Sequence, residues 1–408
     1  MLRFLLSFCL GLIMLSMEAT AKPTNNQHVV LISVDGLRHD YIEKYQAEAL
    51  ANIAKQGIRS ERLIPVYPAN TFPNHLSVIT GRYPVNHGIV NNRFADKTRP
   101  KGNGFAHYAM GKGNQDSTWL NGTPLWNLAE LNGVKAATYF WPESDARING
   151  RTPTYYYHYS KYADYQARVD QIIDWLTLPA ETRPRFIAGY FSLVDSQGHN
   201  FGPDAKQTED AVTRIDALLG QLYKRLQTFD FPVNVIIVSD HGMQQTDASK
   251  KILLETLSID STLFEVVNQH TQVHIYARGK NASQQITKLE GHLESIANQG
   301  FKVMNSTLRK KYHYPVTART GDIVLQAQPG VVFADNEQSN IKPGAHGYWP
   351  ETPAMGATFI AAGPAFKVDK QLPPMSNLEI YPAVVHIMGL PLPDDIDGTL
   401  EIIRQGLE

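Results

Sequence analysis

The sequence predicts an α/β fold with a mixed, mostly parallel central sheet sandwiched by helices. Three observations carry this expectation. Apolar, largely β-branched runs at 28–34, 185–194 and 233–238 read as strands, the first and last as buried central ones. Between them, 163–176 and 208–228 repeat apolar residues at helical spacing. The chain has 408 residues, 43% of them hydrophobic, and a net charge of −1. That is ordinary globular composition, and no bulk charge points to nucleic acid as a partner.

The elements follow in order. Met1-Leu2-Arg3 and the apolar run Phe4–Leu15 have the form of a signal peptide, with Ala19-Thr20-Ala21 as its cleavage site. A membrane span needs about 20 apolar residues, so residues 1–21 are expected to leave and no anchor to remain. Cys9, the only cysteine, would leave with them. An exported chain without disulfides favours a bacterial periplasmic or secreted protein. Residues 22–408 form the expected catalytic domain.

Strand 28–34 ends in Asp35-Gly36. Pro73 suits a first helical turn, and Gly81 a C-terminal stop, which places Thr71 at a helix N-terminus where an anion is favoured. Residues 91–122 show no regular pattern and read as a long surface excursion. Strands are expected at 134–140 and 357–362, and a helix at 377–388. Residues 253–333 read as a small α+β insertion, with strands at 271–277, 301–304 and 322–327 and a helix at 283–298.

Three strand ends carry chemistry. They are Asp35-Gly36, Asp195-Ser196-Gln197-Gly198-His199 and Ser239-Asp240-His241-Gly242. In open α/β sheets ligands bind at that edge. Gly198 is expected to make a tight turn that brings Asp195 and His199 together, and Gly242 to allow the turn that aims Asp240 and His241 at one ion. His346 lies in a glycine-flanked turn. With Thr71, these residues supply three carboxylates, three imidazoles and one hydroxyl, and no thiolate. Such O and N ligands suit zinc, and seven groups fit two ions rather than one. Two ions about 4 Å apart would clamp an in-line phosphoryl transfer. The other eleven histidines, including His39, His75 and His87, are read as structural or surface residues.

The segments Ser33-Val34-Asp35-Gly36, Thr71–Pro84, Asp195–His199, Ser239–Gly242 and Gly344-Ala345-His346-Gly347-Tyr348 resemble the nucleotide pyrophosphatase/phosphodiesterase family, in the family's order. That family belongs to the alkaline phosphatase superfamily. The resemblance implies one zinc on Asp195, His199 and His346. It implies a second on Asp35, Asp240 and His241, with Thr71 as nucleophile and open-site ligand. A phosphothreonine intermediate would form and then be hydrolysed. Asn92 would donate to a phosphoryl oxygen, and Phe72, Tyr159 and Tyr190 would bind the nucleobase.

The implied substrate is a small phosphodiester or nucleotide that releases a nucleoside 5′-monophosphate, with no stable nucleic-acid or protein partner. The same aromatic walls suit a choline head group, which leaves lysophospholipid or glycerophosphocholine diesters as the first rival. Phosphonoacetate hydrolysis or monoester hydrolysis is a second rival. A non-catalytic binding protein is a third, disfavoured because all seven ligand positions are intact. Two departures from the family pattern are expected to reshape the pocket wall. Glu143 replaces the glycine common after Trp-Pro, and Trp349-Pro350 replace the usual Asp-Asn.

Overall fold

Alternation along one strand organises the molecule. The computed structural model describes residues 26–408 except 280, 298 and 299, so the expected signal peptide and Cys9 lie outside the described residues. In β1 (His28–Val34) every residue is buried. Val29 and Leu31 face one hydrophobic core, while Val30, Ile32 and Val34 face another on the opposite side. That period of two is the geometry of a strand in the middle of a covered sheet.

Next come β2 (Gly57–Ser60) and α1 (Thr71–Thr80). A hairpin of β3 (Arg93–Lys101) and β4 (Gly104–Ala109) follows. The chain continues through β5 (Ala136–Tyr139), β6 (Tyr155–Tyr157), α2 (Tyr165–Thr177), β7 (Phe186–Phe191), α3 (Leu193–Phe201), α4 (Lys206–Leu226) and β8 (Val233–Val238). After β9 (Phe264–Asn268), β10 (Gln272–Ala277), α5 (Ala282–Ile296), β11 (Phe301–Val303) and β12 (Ile323–Ala327), it returns through β13 (Phe359–Ala362), β14 (Lys370–Leu372) and α6 (Ile380–Met388).

The main sheet has eight strands in the order β14-β2-β13-β8-β1-β7-β5-β6. Strand β13 runs antiparallel to both of its neighbours, and the other pairings are parallel. The expected mixed, mostly parallel sheet is therefore present. Val169, Ile172 and Leu176 of α2 and Val212, Ile215, Leu219 and Leu222 of α4 cover one face. Val78 and Ile79 of α1 and Ile380, Val384 and Met388 of α6 cover the other. These are the apolar stripes that helical spacing predicts.

Strands β9, β10, β12 and β11 form a separate antiparallel sheet, in that order. Leu289 and Leu293 of α5 lie in its core with Val273, Ile275 and Leu325.

Two expectations need correction. Residues 91–122 are not irregular throughout, because β3 and β4 pair antiparallel. The register slips between Asp96 and Pro100, and the charged stretch Asp96–Arg99 hides the alternation that would mark a strand. Asp96 is nonetheless buried, where it accepts from Arg319 Nε at 2.9 Å. The expected strand 185–194 stops at Phe191, and the chain turns directly into α3.

Candidate active site

Three adjacent parallel strands deliver the acidic groups to one edge. Ser33 pairs with Val238 across β1 and β8, and Val34 pairs with Phe191 across β1 and β7. Asp35, Asp240 and the start of α3 therefore emerge together. The Asp195 N–H donates to Asp35 O at 3.0 Å, which joins α3 to the end of β1. Gly36 makes this approach possible. Its φ is +71°, and a Cβ there would sit 2.8 Å from Asp195 Cα. Gly36 N–H also donates to Asp240 Oδ1 at 3.2 Å.

The glycines expected to make turns have other reasons. Asp195 and His199 lie four apart on helix α3, so helical geometry rather than a turn at Gly198 puts them on one face. A Cβ at Gly198 would touch Met243 at 3.1 Å. A Cβ at Gly242 would lie 2.2 Å from Ala354 O, so that position needs space for a neighbouring backbone.

The three imidazoles share one arrangement. His199 Nδ1 lies 2.7 Å from Gly344 O, His241 Nδ1 lies 2.9 Å from Gly242 O, and His346 Nδ1 lies 3.1 Å from Ala69 O. A carbonyl only accepts, so each Nδ1 carries a proton and each Nε2 is the ring nitrogen left to face the cluster. Burial lowers His241, but the charges of Asp240 and Asp195 outweigh it and raise that ring above the ordinary histidine value. All three Nε2 atoms turn toward carboxylates. His241 Nε2 is 3.0 Å from Asp240 Oδ2 and 3.6 Å from Asp35 Oδ1. Asp195 Oδ1 lies 3.4 Å from His199 Nε2 and 3.7 Å from His346 Nε2. The rings of His241 and His346 stack at 3.6 Å.

Asp35 Oδ1, Asp195 Oδ1 and Asp240 Oδ2 are buried and have no hydrogen-bond partner. Burial, with the charges of Asp240 and Asp195, pushes the Asp35 carboxyl well above the usual carboxylate range. Burial also raises Asp240, but His241 and His75 overturn that and hold it low. Burial, reinforced by His241 and His199, holds His346 well below the ordinary histidine value. Imidazole nitrogens and carboxylate oxygens thus converge in a buried cluster, and a divalent cation would satisfy both. Two groups have ligand atoms within 4.8 Å of one another, Asp35–Asp240–His241 and Asp195–His241–His346. His241 is common to both, and His199 adjoins the second through Asp195.

Thr71 opens α1 behind an extended Asn70, and its Oγ1 is 3.2 Å from His241 Nε2. Phe72 N–H donates to Asn92 Oδ1 at 2.8 Å. That bond fixes the amide orientation and leaves Asn92 Nδ2 free to donate. Tyr190 Oη donates to Asp35 Oδ2 at 2.5 Å, so this residue orients a cluster carboxylate as well as lining the cleft. Tyr159 stands at the rim, 55% exposed, with its ring 6.4 Å from that of Tyr190 and tilted by 59°. With Phe72, Phe140 and Tyr157 these rings line a cleft of about 570 Å³ over the cluster. A second arm of about 430 Å³ shares Asn92, His199, Lys342 and His346 with it.

The second sheet braces the site from behind. Thr271 Oγ1 donates to His346 O at 2.8 Å, and Asn70 Nδ2 donates to Gln272 Oε1 at 3.0 Å. Of the two family departures, Glu143 does line the cleft. It has a left-handed φ of 61° and accepts from Tyr108 Oη and from Gly113 N–H. Trp349 instead stacks on Tyr312 at 4.8 Å and Tyr67 at 5.4 Å, inside the core.

His75, expected as a structural residue, contacts the cluster. The structure places its Nδ1 2.8 Å from Thr71 O and 3.4 Å from Asp240 Oδ2, with Nε2 2.8 Å from Ser33 Oγ. Its position four residues after Thr71 on one helix was the available sign.

The sequence matches the family described as type I phosphodiesterase / nucleotide pyrophosphatase over residues 29–349. The chain belongs to this family. Its relatives include an uncharacterized pyrophosphatase/phosphodiesterase of Schizosaccharomyces pombe, 32% identical over 393 residues, covering 91% of this chain and 79% of that protein. Ectonucleotide pyrophosphatase/phosphodiesterase family member 3 of Rattus norvegicus is 32% identical over 368 residues, covering 86% of this chain and 41% of that protein. A venom phosphodiesterase of Crotalus durissus collilineatus is 30% identical over 382 residues, covering 90% and 45% respectively. The chain thus spans less than half the length of these two animal proteins. The structure of murine ectonucleotide pyrophosphatase/phosphodiesterase 5, an inactive variant in complex with AMP, superposes with a TM-score of 0.83 at 27% identity. That match covers 94% of this chain and all of the murine one. The family is one of hydrolases acting on phosphodiester or pyrophosphate bonds. Among the described residues no helix is long and apolar enough to cross a membrane.

Proposed function

We propose that the chain is a zinc-dependent nucleotide pyrophosphatase/phosphodiesterase that releases nucleoside 5′-monophosphates through a phosphothreonine intermediate. One observation carries the reading. The Thr71 hydroxyl, at a helix N-terminus, lies 3.2 Å from His241 Nε2, in a cluster where Asp35, Asp195 and Asp240 each have a buried oxygen without a hydrogen-bond partner. Asp195, His199 and His346 would hold one ion, and Asp35, Asp240 and His241 the other beside Thr71. Bound there, the metals supply Lewis acidity that lowers the pKa of a nearby hydroxyl or water and neutralises phosphoryl charge.

The chain's own groups do the rest. Thr71 Oγ1 attacks phosphorus in line as its proton passes to solvent water, and the ester or anhydride oxygen opposite departs with the bonding pair. Asn92 Nδ2 and the Thr71 backbone N–H donate to a non-bridging oxygen, where charge grows in the transition state. Water then attacks the phosphothreonine, and Thr71 Oγ1 leaves and regains a proton. Phe72, Tyr159 and Tyr190 offer ring faces to the base, and stacking of this kind is worth about 1–3 kcal/mol per base. The AMP bound to the murine neighbour supports a nucleotide in this cleft. The export pattern at 1–21 and the absence of other cysteines support a periplasmic or secreted bacterial enzyme.

The test compares a chromogenic nucleoside phosphodiester with the matching monoester on zinc-loaded protein, beside Thr71→Ala. We expect strong diesterase activity, abolished by chelation and by the substitution. An untouched diester would sink the nucleotide reading and direct the next assays to choline phosphodiesters and phosphonoacetate.

A further inference from the structure

Asn91 is fully buried, and every hydrogen-bonding position of its side-chain amide is used. Its Oδ1 accepts from Asn70 Nδ2 and from the Asn92 backbone N–H, each at 2.8 Å. A backbone N–H only donates, so the Asn92 contact fixes which end of the amide is oxygen. Asn91 Nδ2 therefore points the other way, 3.4 Å from Gln272 Oε1 and 3.2 Å from His274 Nε2. His274 is able to accept there, because burial, with Arg309 nearby, pushes its ring down to about 3 and keeps it neutral. Gln272 and His274 alternate to the same face of β10, so one strand of the second sheet receives both contacts.

The partners on the oxygen side show what this amide does. Asn70 directly precedes Thr71, and Asn92 takes the Phe72 N–H on its own Oδ1. Asn92 is thus gripped at its backbone N–H and at its side-chain oxygen, and its Nδ2 remains to donate to a phosphoryl oxygen. Asn91 itself lines neither arm of the cleft. We propose that Asn91 is a positioning residue for phosphoryl transfer, one that holds the Asn92 amide at a fixed offset from the Thr71 hydroxyl and ties both to the second sheet. The inference rests on the phosphothreonine reading above and extends it to a residue outside the cleft.

The test uses the zinc-loaded full chain and a chromogenic nucleoside phosphodiester. Removing a donor to the transition state outright costs roughly a hundredfold or more in kcat, and misplacing one costs less. Asn91→Ala should lower kcat about thirtyfold while KM moves by less than about threefold. Orthovanadate, which mimics five-coordinate phosphorus, should bind about thirtyfold more weakly, and AMP, a ground-state ligand, should keep its affinity within about threefold. In an Asn92→Ala background, removing Asn91 should cost no more than about threefold further, because the two act as a unit. Asn91→Asp keeps an acceptor for Asn70 and Asn92 and should keep most of kcat. Asn91→Thr, whose hydroxyl stops one bond short of the Oδ1 position, carries the same reading if the alanine variant does not fold. Wild-type kcat and vanadate affinity in these variants, or a full thirtyfold loss on top of Asn92→Ala, would overturn the positioning role and leave the diesterase reading intact. Wild-type protein inert toward the diester would overturn both.

Discussion

The ligand edge and the aromatic wall of one cleft are built on different principles. Asp35, Asp240 and His241 extend directly from buried parallel strands, and Asp195 and His199 ride a helix hydrogen-bonded to the end of β1. The aromatic wall is mixed: Tyr190 and Phe72 belong to β7 and α1, and the rest comes from the sheet's edge and connecting segments. Tyr157 lies on the edge strand, Tyr159 is mostly exposed, and the nearby Met110–Asn114 stretch hangs from a hairpin. Chemistry that tolerates little displacement sits on the sheet, and much of the recognition that changes with substrate sits on its edge and on loops.

The largest effect should come from breaking the rigid side. Asp240→Asn keeps the shape but removes a buried charge and a ligand atom. We expect loss of bound zinc after dialysis and a drop of roughly a thousandfold in kcat, since the metal's contribution is several kcal/mol. Wild-type metal content with wild-type rate would show that the edge is not a metal centre.

A second test concerns the tether between the wall and the hairpin. Burial, which outweighs the hydrogen bonds from Tyr108 and Gly113, pushes the Glu143 carboxyl up to about 7. The unfolded chain ionises this group near the ordinary glutamate value, while the folded chain keeps it protonated to about pH 7. The unfolded state therefore binds fewer protons between those values, and stability falls as pH rises through that window, then levels off above it. The expected loss is up to about 3 kcal/mol. Glu143→Gln should flatten that slope in urea titrations run from pH 4.5 to 8, and an identical slope in the variant would assign the effect elsewhere.

The smallest effect belongs to the rim. Tyr159→Ala should change stability by no more than about 0.5 kcal/mol. It should raise KM for a nucleotide about fivefold, with kcat nearly intact, as expected for stacking that is worth about 1–3 kcal/mol per base. A collapse in kcat instead would move Tyr159 from the rim into the reacting centre.

Legibility in the sequence follows the same division. Strand ends could be read because continuous apolar runs stop abruptly at Asp35 and at Asp240-His241, and the sheet has few ways to arrange them. The stripes of α2 and α4 were legible for the same reason, since Val169, Ile172, Leu176 and Val212, Ile215, Leu219 repeat at helical spacing. The hairpin was not, because its strands carry Asp96, Lys97 and Arg99, and contacts distant in sequence, such as Arg319 with Asp96, add to the local ones that hold them there. The reason for Gly242 was hidden too, since Ala354 lies more than a hundred residues away in the chain.

The bonds from Thr271 to His346 O and from Asn70 to Gln272 have a consequence for anyone seeking a smaller catalyst. The 264–327 unit looks like baggage on a sequence diagram, a module that could be trimmed. It is scaffolding for the residue before the proposed nucleophile and for one histidine of the proposed ligand set at once. Excising it would release both from their supports while leaving every ligand in the gene. A trimmed chain would therefore keep a complete list of active-site residues and lose the register between them.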